Sequence, residues 1–218
     1  MPDAPSDSWA MIFDPEVVSR FADCGVSLLN DPNEVFAAAM RYLGLDINRQ
    51  SLDDLKLAEA HLAKVRPYIR YFDNDRNIND LANGNTCLAM SWNGNVSIAA
   101  GQAAQAEKPF SLHYRIPREG TLLWFDAMVI PKDAPHPEAA HALMDHLMTP
   151  AIIGAITNSI YYANAVPAAN ASVDPAILDD PGTYPPQAVR AGLYTKNDNA
   201  RTFNRALTRA FSKLKSGL

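Results

Sequence analysis

Long apolar runs are missing from this sequence. No stretch approaches the roughly 20 apolar residues that a membrane-spanning helix needs. The opening Met1-Pro2-Asp3-Ala4-Pro5-Ser6 has no basic segment followed by an apolar one, so it does not read as a secretory signal, and the expectation is either a cytoplasmic chain or an export signal upstream of it. Positive charge is also short: 19 Lys and Arg stand against 24 Asp and Glu, a net charge of −5. Nucleic-acid binders are usually basic, so nucleic acid is not an expected partner; a cationic ligand is compatible with this balance. Nucleophile elbows of the Gly-x-Ser-x-Gly type, phosphate-binding loops and Cys-x-x-Cys pairs are all absent. Of the five histidines, His136, His141 and His146 fall near one predicted helix. His141 and His146 are five apart, off the i, i+4 face of a paired metal site, and read as surface residues. A glycosidase-like pair of Glu34 and Asp126 finds no other support. The chain is therefore expected not to be an enzyme, with no catalytic residue, no cofactor and no metal.

Cysteine is scarce, with only Cys24 and Cys87. Composition alone fits two buried thiols. Paired, they would close a loop of about 60 residues and stabilise the fold by about 4 kcal/mol in the chain-entropy model.

What the chain does contain is enough apolar residue, 48% of 218, to bury a core. Asp31-Pro32-Asn33-Glu34 predicts a helix start, with Asp31 at the N-cap, Pro32 at N1 and Glu34 at N3 of a capping box. Val35, Phe36, Ala39, Met40 and Leu43 follow at helical spacing, and Gly44 is placed to end the helix. Ser51 with Asp54 starts a second helix that must stop near Arg66-Pro67. Ile78–Ala82 reads as a short helix ended by Asn83-Gly84, and 96–106 as another. Thr86–Trp92 is short and nearly all apolar, which suits a strand buried on both faces. Phe110, Leu112, Tyr114 and Ile116 alternate with polar residues and predict a strand, and Leu122–Ile130 predicts a second. Helices are expected over 137–148, with Ala140, Leu143, Met144 and Leu147 inward, and over 151–158; 163–186 reads as loop with one short helix. A last helix over 201–215 puts Phe203, Leu207, Phe211 and Leu214 on one side, and Arg201, Arg205, Arg209 and Lys213 in a stripe at i, i+4 spacing. That stripe is either a solvated face or a docking patch for an acidic partner. The mixture of helices and short strands indicates an α/β fold.

Several stretches stand out together. They are Cys24-Gly25-Val26-Ser27 leading to Asp31-Pro32 and Glu34-Val35-Phe36; Arg66-Pro67 with Ile69-Arg70-Tyr71-Phe72; and Ile78 through Gly84. Further on come Ile116-Pro117 with Glu119-Gly120; Phe125-Asp126; Tyr162-Ala163-Asn164-Ala165; Pro181-Gly182 with Tyr184-Pro185-Pro186; and Lys213 with Lys215-Ser216-Gly217. In their order and spacing, over residues 7 to 218, they resemble the polyamine (putrescine/spermidine)-binding proteins of ABC transporters.

The resemblance implies a two-lobed clamshell of the type II periplasmic-binding-protein kind. Residues 1–107 with 169–218 would build most of the second lobe, and 108–168 would be part of the first lobe with the hinge crossings. The segment that opens the first lobe is expected to be absent. The resemblance also implies a Cys24–Cys87 disulfide, a periplasmic location, a polyamine ligand and an inner-membrane ABC permease as partner. A lobe without all its sheet partners would expose apolar surface and favour a homodimer or swapped assembly. The alternative is a homologue that no longer binds polyamine and serves only in interactions.

Binding a polyamine needs carboxylates for the ammonium groups, because a buried unpaired charge costs several kcal/mol, and aromatic faces for the methylenes. The resemblance places Glu34, Trp92, Asn95, Trp124, Asp126 and Tyr162 at the ligand. Trp124 and Asp126, two apart on a predicted strand, would share a face. Glu34 reads equally as a capping residue, Trp92 as core, and neighbouring Tyr161 competes with Tyr162 for exposure. The family pattern after the tryptophan is Trp-x-Gly-Asp; here the run is Trp92-Asn93-Gly94-Asn95, so a charge is replaced by an amide. Asp73 could compensate.

Overall fold

The computed structural model describes residues 3–217. Two short helices open it, α1 (Ala10–Phe13) and α2 (Pro15–Val18), followed by strand β1 (Val26–Leu28). Helix α3 (Pro32–Tyr42) and helix α4 (Leu52–Val65) lead to β2 (Tyr71–Phe72). Helix α5 (Arg76–Asn83), β3 (Leu88–Ala89) and helix α6 (Asn93–Gln105) come next. After a long irregular stretch follow α7 (Pro137–Leu147), α8 (Pro150–Ile160), α9 (Pro175–Leu178), α10 (Gln187–Arg190) and α11 (Arg201–Ser216).

The chain divides into two units, one running to Leu123 and resuming at Gln187, the other Trp124–Pro186. The first holds a parallel three-stranded sheet in the order β2-β1-β3, with Ser27 opposite both Tyr71 and Ala89. Each parallel neighbour is reached through helices, because parallel strands need a crossover connection. The central strand is wholly buried. Its Val26 and Leu28 pack with Val35, Phe36 and Met40 of α3, Leu55, Leu62 and Val65 of α4, and Phe203, Leu207 and Phe211 of α11. Each such side chain contributes about 1.5–3 kcal/mol on full burial.

Local signals place the helix ends where the chain leads one to expect. Asp31 Oδ1 accepts from the backbone N–H of Asn33 (2.7 Å) and Glu34 (3.1 Å), with Pro32 at N1. Gly44 N–H donates to Arg41 O and Leu45 N–H to Met40 O, closing α3 with Gly44 at φ 72°. Ser51 caps α4 through Asp54 N–H, and Gly84 ends α5 in the left-handed region. The single helix expected in 163–186 is instead two short elements, a 3₁₀ helix over Pro167–Ser172 and α9. In α7, Leu143 is exposed rather than inward.

Strand expectations fare differently. Only Leu88–Ala89 of the run Thr86–Trp92 pairs as a strand, and both residues are half-buried. Neither Phe110–Ile116 nor Leu122–Ile130 forms a strand; Leu122 alone makes an isolated parallel bridge with Tyr194. The reason is that a strand exists only beside another. Among the described residues no strand pairs with 124–130, and residues 123–129 are exposed. Phe125 and Val129 are 74% and 81% exposed, large values for such side chains.

Cys24 and Cys87 form a disulfide, Cα–Cα 5.6 Å, across a separation of 63 residues. Both cysteines are exposed, so the reading as buried thiols is overturned. The bond ties the entry of β1 to the entry of β3. Beside it, the Arg70 guanidinium lies against Gly25 and donates to Asn85 O and Asp23 O. Gly25 has φ 98°, and a Cβ there would meet that guanidinium at 2.5 Å, so only glycine suits the position.

Candidate functional site at the carboxyl edge of the sheet

All three parallel strands end on the same edge, where ligands of open α/β sheets sit. After β1 comes Leu29-Asn30-Asp31, after β2 Asp73-Asn74, and after β3 Met90-Ser91-Trp92. The loops are stitched to one another. Asn74 Oδ1 accepts from Asn30 N–H (2.8 Å), and Asn95 Nδ2 donates to Asn74 O (3.1 Å). Lys215 Nζ donates to Asn30 Oδ1 (2.8 Å), bringing the end of α11 to the same edge.

Glu34 and Trp92 meet here. The indole Nε1 of Trp92 donates to Glu34 Oε1 at 3.1 Å, across 58 positions of sequence. Glu34 is only 6% exposed, in the first turn of α3, where the helix dipole favours a carboxylate. Trp92, half-buried, immediately precedes α6 and packs on the core with one face. Asn95 is in the first turn of α6, so Trp92 and Asn95 are presented by one helix start. A carboxylate, an aromatic ring and an amide thus occupy one edge of this unit, the groups that an alkylammonium ion requires.

Tyr194 is a neighbour that sequence reasoning did not find. Its hydroxyl is buried without a hydrogen-bond partner among the described residues, and the Arg41 guanidinium lies over its ring at 5.3 Å. Burial pushes the phenol well above its ordinary value; Glu34 adds to this and Arg41 opposes it. Asn30 and Asn74 were also missed. Nothing in the spacing of these three residues joins them to Glu34, because only the fold does.

Asp73 serves locally. Its Oδ1 accepts from the N–H of Asp75 (2.9 Å) and Arg76 (2.8 Å). The N–H groups of Arg76 and Asp75 hold its carboxyl below the ordinary range. Behind this loop, Asp80 pairs with Arg76 at 2.9 Å, and Arg76 stacks over the Tyr71 ring at 4.3 Å. Burial works to raise the Asp80 carboxyl, but Tyr71, Asn85 and Arg76 outweigh it and hold the group below its ordinary value. A depressed carboxylate stabilises the fold fully above about pH 5 and loses that contribution as pH falls through its lowered value. Asp80→Asn should therefore lower the urea midpoint at pH 7 and differ less from the parent at pH 3. Equal differences at the two pH values would contradict this.

The other three candidates belong to the second unit. Trp124 and Asp126 lie on the exposed irregular stretch, not on a strand, so the shared strand face expected of them does not exist. Tyr161 closes α8 at φ 61°, and both Tyr161 and Tyr162 are half-buried.

The family model described as a bacterial extracellular solute-binding protein matches residues 1–185. The putrescine-binding periplasmic protein SpuD of Pseudomonas aeruginosa is 41% identical over 214 residues, 98% of this chain and 58% of that protein. The putrescine-binding periplasmic protein PotF of Escherichia coli is 40% identical over 215 residues, with the same two shares. The chain thus spans a little over half the length of the curated relatives it matches. Among solved structures, the spermidine/putrescine ABC transporter substrate-binding protein PotD of Streptococcus pneumoniae superposes with a TM-score of 0.80 at 20% identity. That likeness covers 99% of this chain and 63% of the other, and is one of fold.

Proposed function

The chain belongs to the bacterial extracellular solute-binding protein family, and on that premise we propose that it captures a small, putrescine-like polyamine outside the cytoplasm for import by an ABC permease. The observation that carries this reading is the Glu34–Trp92 contact at the carboxyl edge of the sheet, a buried carboxylate beside an indole. The putrescine-binding relatives, SpuD and PotF, support it. Glu34 would neutralise one ammonium, Trp92 would cover methylenes and Asn95 would accept a hydrogen bond. Trp124, Asp126 and Tyr162 are proposed as further ligand contacts. On the same proposal, residues 1–107 with 169–218 would build most of the second lobe and 108–168 part of the first, with the hinge crossings. The periplasm as location and the inner-membrane permease as partner belong to the same proposal.

Asn95 modifies the reading. An amide cannot neutralise an ammonium, and losing one member of a buried charge pair costs about 2–5 kcal/mol. The preferred ligand is accordingly an amine with one strongly neutralised end. The observation also favours a second reading, in which this homologue no longer binds polyamine. Thermal-shift titration with putrescine, cadaverine, spermidine and spermine separates the two. A binder gains a saturable increment, about 2.7 kcal/mol at a ligand concentration of 100 Kd. A flat response to all four amines would defeat the transport reading and leave the second.

A further inference from the structure

We propose that the outer face of α11 is a docking surface for an acidic partner protein, one presenting a row of carboxylates. Arg201, Arg205, Arg209 and Lys213 recur every fourth residue and are all exposed. Steps of about 6 Å carry the row over about 18 Å of helix. Lys213 pairs with Glu59 at 3.0 Å, whereas the three arginines have no ion-pair partner among the described residues.

Stability does not account for the row. From Arg201 to Ser216 the helix has no acidic residue, in a chain of net charge −5. Like charges at i, i+4 repel. Arg201 and Arg205 stand in the first turns, the positive end of the helix dipole, and no acidic side chain offsets them there. The inner face, through Phe203, Leu207, Phe211 and Leu214, already holds the helix on the core. The three arginines therefore find no compensating partner in the isolated fold, unlike Lys213 with Glu59, and an external anion supplies one.

The chemistry of the surface selects a protein over other polyanions. Guanidinium groups match carboxylates and phosphates alike in a two-point geometry, so the selection comes from what lies beside them. At the Lys213 end, a groove of about 330 Å³ between α4 and α11 is lined by Ala60, Ala63 and Leu214 and by the charged Lys56, Glu59, Arg66 and Lys213, three cations to one carboxylate. It takes an apolar side chain next to the carboxylate row, which a peptide offers and a polyphosphate lacks. A membrane surface is disfavoured, because every exposed residue of α11 is polar and none is a large apolar anchor.

The test uses the full chain and a fluorescein-labelled helical peptide about 18 residues long, with Glu at every fourth position and Leu one turn beyond the last. Anisotropy should report saturable binding that weakens as salt rises. The variant Arg201→Gln/Arg205→Gln/Arg209→Gln should bind about tenfold more weakly and melt no lower than the parent. Absence of peptide binding by the parent, or equal binding by the variant, overturns the proposal. So does a variant that melts lower, since the arginines would then serve the helix itself. Stripe-dependent binding to phosphatidylglycerol vesicles without binding to the peptide would overturn it as well, in favour of a lipid surface. None of these outcomes depends on amine binding.

Discussion

Glu34→Gln is expected to weaken capture of a diamine by about 30-fold to several thousand-fold while leaving the fold intact. Glutamine has the size of glutamate, and its amide oxygen can still accept from Trp92 Nε1, now at 3.1 Å from the carboxylate. The N-cap of α3 is unaffected, because it is made by Asp31. The change therefore removes charge and little else. At a position only 6% exposed, a cation brought from water has few other groups to compensate for lost hydration. Calorimetric titration with putrescine, alongside a thermal melt of the unliganded variant, separates binding from folding. Unchanged affinity would show that Glu34 is a helix-start residue alone and would remove the site from this edge of the sheet.

Loss of the Cys24–Cys87 bond is expected to cost about 4 kcal/mol, the chain-entropy value for closing 63 residues. In a chain of this size that corresponds to a fall in Tm of about 8–16 °C. Cys24→Ser/Cys87→Ser is a clean probe, since both side chains are exposed and serine there buries no hydroxyl. The cross-link joins the starts of β1 and β3, whose short ladder has few hydrogen bonds of its own. Urea unfolding of the double variant, and of the parent with and without reductant, gives the magnitude. Parent and variant should coincide under reductant. A loss below 1 kcal/mol would mean that the Arg70 contacts and the core already hold those strand ends together.

How much was legible in the sequence follows from the range of the forces involved. Helix ends such as Asp31-Pro32 and Asn83-Gly84 are set by atoms within four residues of one another, and the structure places them as read. The buried face of α11 is equally local, a matter of period. The alternation over Phe110–Ile116 and the run Leu122–Ile130 carried the side chains of a strand, but side chains do not provide the neighbouring backbone that a strand must pair with. The site divides along the same line. Glu34, Trp92 and Asn95 were nominated by resemblance, whereas Tyr194, Asn30 and Asn74 left no local trace.

By itself the sequence determined most of the longer helices, the caps of α3, α4 and α5, the inward face of α11 and the family to which the chain belongs, because each rests on short-range pattern or on residues compared one at a time. Only tertiary structure decided that the carboxylate of Glu34 meets the indole of Trp92 and that three short strands pair in the order β2-β1-β3, whereas the Cys24–Cys87 bond that the resemblance implied is borne out. Those are contacts between segments tens of residues apart, and burial of one common core brings them together.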